Sequence, residues 1–114
     1  GGEVPQPEEL GVDPSAFLNG LAEVIGELRR YILDALRRDS FQRCEELMDV
    51  MDEIYSILVS VDFPEAVTGG LRHSTDAMRG VLERTRGDLT LALRQHQLEV
   101  RLAQWENRLA GPDP

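Results

Sequence analysis

The stretch from Phe63 to about Leu109 constrains this chain more than any other. After Phe63-Pro64-Glu65-Ala66-Val67 no further proline occurs until Pro112. Its apolar residues include Val67, Leu71, Ala77, Met78, Val81, Leu82, Leu89, Ala92, Leu93, Leu98, Leu102, Trp105 and Leu109. Most recur at three or four residues, which places them along the same flank of one amphipathic helix. Pro64 suits a first helical turn, where its missing N–H forfeits no bond, and Asp62 suits the cap before it. At 1.5 Å per residue the rod would be roughly 70 Å long. Nothing else in the chain is long enough to cover it, so much of its apolar surface is expected to meet another copy or a partner.

The rest of the chain supplies two shorter helices. Asp13-Pro14-Ser15 is a helix start, with Asp13 as cap and Pro14 at the first helical position. Phe17, Leu18, Leu21, Val24, Ile25, Leu28, Tyr31, Ile32, Ala35 and Leu36 then repeat at helical spacing, which predicts a helix from Pro14 to Arg38. Arg37 and Arg38 place positive charge at its carbonyl end. Asp39 or Ser40 caps a second helix after a tight turn, which implies an antiparallel hairpin. Phe41, Cys44, Leu47, Met48, Met51, Ile54, Tyr55 and Leu58 form its stripe, and it should end near Ser60.

The expected fold is all-α: an antiparallel helical bundle of two medium helices and one long C-terminal helix. Residues 1–12, with two prolines, three glycines and three glutamates, read as a linker or disordered lead-in. A chain that opens on a linker reads as the later part of something larger. The helical domain covers 13–110, and 111–114 form a tail after a helix stop.

Composition narrows the functional classes. No run of apolar residues is long enough to span a membrane, and the opening residues lack the regions of a signal peptide. A lone cysteine, Cys44, allows no internal disulfide and fits a cytoplasmic location. The net charge is −9 and all twelve basic residues are arginine. That balance weighs against a broad basic surface for nucleic acid, although a local arginine cluster or a bound metal can reverse the sign at one site.

The first helix carries a polar stripe of Asn19, Glu23, Glu27, Arg30 and Asp34, within about 80° of arc. Glu23 and Glu27 stand four apart, so their carboxylates can converge. Alone, such a like-charge pair costs a few tenths of a kcal/mol. A divalent cation reverses the sign, and hard ions such as Mg²⁺ take carboxylate oxygens. With more acids from a neighbour, this would be a site for metal-assisted phosphodiester cleavage. The competing reading is a wet helix face on which Arg30 simply pairs with Glu27.

Other features point to structure. Gly69 and Gly70 cost on the order of 2 kcal/mol inside a helix, which either calls for a close helix neighbour or moves the rod's start past Gly70. Arg72, Arg79, Arg84, Arg86 and Arg94, lying among Asp76, Glu83 and Asp88, read as ion pairs on a wet face. His73 and His96 read as surface residues and Cys44 as core. No phosphate loop, Ser/His/Asp set or nucleotide fingerprint is present.

Two stretches together resemble the translin family. Phe63-Pro-Glu-Ala-Val-Thr-Gly-Gly-Leu-Arg-His-Ser-Thr-Asp-Ala-Met-Arg-Gly-Val-Leu-Glu-Arg-Thr-Arg-Gly-Asp-Leu-Thr90 looks like the final-helix signature of prokaryotic translin-like proteins. Phe17-Leu-Asn-Gly-Leu-Ala-Glu-Val-Ile-Gly-Glu-Leu28 is similar to the central helix of translin-associated factor X. The resemblance implies an all-α, octamer-like homo-oligomer enclosing single-stranded RNA or DNA. Members of the factor-X type are Mg²⁺-dependent endoribonucleases, and Mn²⁺ is the alternative ion. Glu23 and Glu27 match their two catalytic, metal-binding acids. Translin itself, which binds without cutting, has a serine in place of Glu23, so this chain looks like the cutting branch. Family members are longer, and the half that supplies further acids and basic surface has no match here. Either this chain is the C-terminal portion of a longer one or a companion chain supplies that half, and this chain alone is expected to be inactive. The alternatives are a non-catalytic binder of single-stranded nucleic acid and a purely structural oligomerisation module.

Overall fold

A computed structural model of the protein describes residues 13–60 and 68–111, without the side chains of 14 and 68–71. Three helices carry these residues: α1 (Pro14–Arg37), α2 (Phe41–Ser60) and α3 (Thr68–Ala110). Asp13 is the N-cap of α1, its side-chain Oδ1 accepting from the Ser15 N–H at 3.3 Å, and Pro14 fills the first helical position. The helix closes one residue before the expected Arg38. Asp39, at φ 55°, turns the chain through the left-handed region. The Ser40 N–H then donates back to the Ala35 carbonyl at 2.9 Å and the Asp39 N–H to Leu36 at 3.1 Å. This doubled bond satisfies carbonyls that the helix end would leave open. Ser40 stands at the start of α2, its carbonyl accepting from Cys44 N–H. Asp39 is therefore the turn residue and not the cap.

The expected start of the rod at Phe63, with Asp62 as cap and Pro64 in the first turn, lies outside the described residues. From Thr68 onward α3 is helical, so Gly69 and Gly70 lie inside it and the rod does not begin after them.

Each helix packs on the other two. α1 contributes Leu18, Ile25, Ile32 and Ala35 to the core, α2 contributes Cys44, Leu47, Met48, Met51 and Leu58, and α3 contributes Met78, Leu82 and Leu89. These are one-sided stripes at helical spacing, and their burial supplies the main driving force for the bundle. Val24 and Tyr31, expected in the core, are exposed because they sit at the margin of the α1 stripe. Cys44 is fully buried, and its Sγ lies 3.6 Å from the Ile32 carbonyl. Burial raises its thiol pKa above the ordinary value.

Ion pairs lock the helices at the core's edge. Arg29 Nη1 donates to the buried Thr85 hydroxyl at 2.9 Å, and its Nη2 lies 2.9 Å from Asp88 Oδ2, joining α1 to α3. Arg86 binds Asp52 and joins α3 to α2. Of the five arginines assigned to wet-face pairs, Arg79 does pair along its own helix, with Glu83 at 3.0 Å. Arg86 instead braces the bundle. His96 is half-buried with its ring 4.8 Å from that of Phe41, which corrects its reading as a surface residue.

The bundle is far from round. Its radius of gyration is 20.3 Å and its extents are 76 × 28 × 18 Å, whereas a compact chain of this size would have a radius near about 13 Å. The excess is α3. Every residue from Gln97 to Gly111 is exposed, an overhang of about 20 Å at the helical rise. Its apolar surface is also not one stripe. Met78, Leu82, Leu89 and the half-buried Leu93 face α1 and α2, while Leu91, Leu98, Leu102, Trp105 and Leu109 lie on a flank turned away by roughly 180°.

A candidate metal-binding face on α1

The side of α1 opposite its core stripe presents Asn19, Glu23, Glu27, Arg30 and Asp34, all exposed. The structure therefore brings the two predicted acids to one face. Residues four apart in a helix differ by about 40° and about 6 Å of rise, within joint reach of one cation. Glu27 Oε2 lies 3.6 Å from Arg30 Nη1, and Asp34 lies 3.5 Å from Arg38. Glu23 has no ion pair with any described residue. The pairing of Arg30 with Glu27 is thus present, but in a loose, exposed geometry of the kind that contributes little.

The surface around these acids is low. Gly20 and Gly26 flank them, and a Cβ at either would meet nothing within 4 Å. A second chain or a phosphate backbone meets no side chain at the two glycines themselves, while Arg30 reaches over Glu27 on the same face. The donors are hard oxygens of the kind Mg²⁺ or Mn²⁺ accepts. Two of them fill only part of a six-coordinate shell, and the rest must come from water or another chain. Among the described residues, no group of three or more His, Cys, Asp or Glu side chains is placed to hold a metal ion.

Basic surface is sparse. An open cleft of about 600 Å³ between α2 and α3 is lined by Glu45, Asp49, Arg86, Thr90, Arg94 and Gln97 among others. With Arg86 held by Asp52, Arg94 is, among the described residues, the one cation left there against two acids, which is a poor phosphate trap. Arg29, which nothing in the local sequence singles out except its place on the apolar side of an otherwise clean stripe, bonds α1 to α3 from the flank opposite Glu27. Among the described residues, no helix is long and apolar enough to cross a membrane.

No protein-family model matches the chain. It is 35% identical over 106 residues to the uncharacterized protein MJ0175 of Methanocaldococcus jannaschii, a match that covers 88% of this chain and 47% of that protein. Among solved structures it superposes with a TM-score of 0.61 and 41% identity on the protein of the AfC3PO–duplex RNA complex, over 74% of this chain and 44% of the other. The chain thus spans just under half the length of both proteins it matches. In fold and in sequence alike it is similar to the protein of that RNA complex, itself a translin-like helical protein.

Proposed function

We propose that this chain is a translin-family component of a nucleic-acid-binding assembly, with RNA as its ligand class. One observation carries the reading: the chain aligns at 41% identity, over three quarters of its length, with a protein solved in complex with RNA. That RNA is a duplex, whereas the resemblance to the translin family implies a single-stranded ligand, so both forms belong in any assay. The net charge of −9 means that this chain supplies little phosphate attraction of its own. Further copies, or a companion chain with basic surface, provide that attraction in the assembly.

In the same reading the assembly cleaves RNA, with Glu23 and Glu27 as metal ligands. A bound Mg²⁺ would activate water and offset charge that develops on the phosphate. Both carboxylates would hold the ion from one side of α1, and the open ground beside Gly20 and Gly26 would admit the strand. The test uses the native assembly isolated through a tag on this chain. Glu23→Gln with Glu27→Gln should abolish Mg²⁺-dependent cleavage and leave RNA retention intact. Unchanged cleavage by the double variant would remove both residues from the site.

Binding without cleavage is the second reading, and the donor count favours it: two exposed carboxylates on one helix form half a site. Retention of RNA in EDTA, with no cutting when Mg²⁺ or Mn²⁺ is restored, would select it.

A further inference from the structure

We propose that the face of the α1–α2 hairpin turned away from α3 docks a separate helical polypeptide with basic flanks, equivalent to the part of its two similar proteins that this chain does not span. Two contacts fix the direction of α3. Arg29 reaches Thr85 and Asp88 from α1, and Asp52 holds Arg86 from α2. Val24 and Tyr31 lie roughly 140–160° around α1 from Arg29, and Val50 and Ile54 lie roughly 160° around α2 from Asp52. The third helix therefore does not cover them. Tyr31 is 57% exposed, Val24 44% and Val50 41%, while Leu28, Ile54 and Ile57 beside them are half-buried. Near the turn, Tyr31 and Leu47 line one open notch of about 190 Å³, so both helices present this apolar strip to the same side.

Charge and length choose the occupant. Glu27 and Asp34 border the strip on α1, Glu46 and Glu53 border it on α2, and all four are exposed. Arg38 and Arg43 pair with Asp34 and Glu46, each at 3.5 Å. Glu53 has no ion pair with a described residue. The face is thus an apolar groove between acidic rims. A second copy, itself at a net charge of −9, would set like rims against each other there. A helix with an apolar stripe between Lys or Arg flanks fits instead: the stripe fills the groove between α1 and α2, and the flanks meet the acids. Both proteins that this chain resembles have just over half their length outside the match, and the one in the RNA complex is a helical protein. A polypeptide of that kind is long enough to supply such a helix.

This inference rests on the likeness to those proteins and needs neither RNA binding nor a metal at Glu23. The test mixes the full chain with the part of the Methanocaldococcus jannaschii protein outside the match, made as a separate polypeptide, and follows binding by titration calorimetry. A one-to-one complex is expected, weakening as salt is raised. Tyr31→Glu with Val50→Glu should lower the affinity by about tenfold or more while leaving circular dichroism unchanged, since both positions are exposed. Hydroxyl-radical footprinting of the wild-type complex, which needs no variant, should show Tyr31 protected and Trp105 still labelled. No complex with that polypeptide, binding that the double variant leaves intact, or protection of Trp105 in place of Tyr31 would each overturn the proposal. So would self-association of the chain alone that the double variant abolishes, because a second copy would then hold the face. RNA is absent from every arm, so failure here is distinct from failure of the nucleic-acid reading.

Discussion

Replacing Arg29 by methionine removes the guanidinium and keeps most of the apolar stem, so it isolates the bond between α1 and α3. In the native bundle that guanidinium reaches the fully buried Thr85 hydroxyl at 2.9 Å and the Asp88 carboxylate at 2.9 Å. Thr85 also donates to the Val81 carbonyl at 2.7 Å, so Arg29→Met costs it an acceptor contact but does not orphan its proton. The side chain of Asp88 is 47% exposed and is rehydrated when its partner leaves. A charged hydrogen bond to a buried hydroxyl, less its lost hydration, contributes about 1 kcal/mol, and the half-exposed ion pair adds about 0.5 kcal/mol. The expected destabilisation is therefore about 1.5 kcal/mol, a fall of about 1 M in the urea midpoint for a chain of this size. Thr85→Val should cost about 1 kcal/mol by itself. The double variant should cost about 1 kcal/mol less than the sum, because both changes remove one contact. Urea unfolding followed by circular dichroism, at one fixed chain concentration, measures all four corners of the cycle. A coupling energy indistinguishable from zero would refute the assignment of that contact as the α1–α3 lock.

Two further outcomes follow from the turn and the core. Asp39 holds a left-handed conformation at φ 55°, so Asp39→Gly should stabilise the hairpin by about 0.5–1 kcal/mol, read as a rise in melting temperature; a fall would mean that the Asp39 side chain contributes more than the backbone costs. Burial raises the Cys44 thiol pKa, so thiolate is scarcer than for a free cysteine near neutral pH, and labelling by a thiol reagent should wait for unfolding. Rapid labelling of the native chain would show that the core around Cys44 opens.

The hairpin of α1 and α2 was legible because each helix has a single apolar stripe, a recognisable start at Asp13-Pro14, and a turn too short for any other arrangement. The long helix was legible as an element but not in its faces. Spacings of three and four residues fit Met78, Leu82 and Leu89 as readily as Leu98, Leu102 and Trp105, and only the packed neighbours separate the flank that meets α1 and α2 from the one that meets none. His96 reads as a surface residue in the sequence because its partner, Phe41, lies on another helix, where no local spacing can show it. Arg29 goes unmarked for the same reason, since Thr85 and Asp88 are more than fifty residues away. Glu23 and Glu27 were found from their spacing, and the structure does place them on one open face. The chemistry of that face depends on what comes to meet it, which no residue of α1 encodes.

Retention of labelled RNA by the native assembly tests the central reading most directly. Single-stranded and duplex RNA, each mixed with the assembly at low salt and resolved on a native gel, should include at least one form that is shifted, with the shift weakening as salt is raised. An assembly that leaves both forms at their free mobility would contradict a translin-like RNA-binding role for this chain.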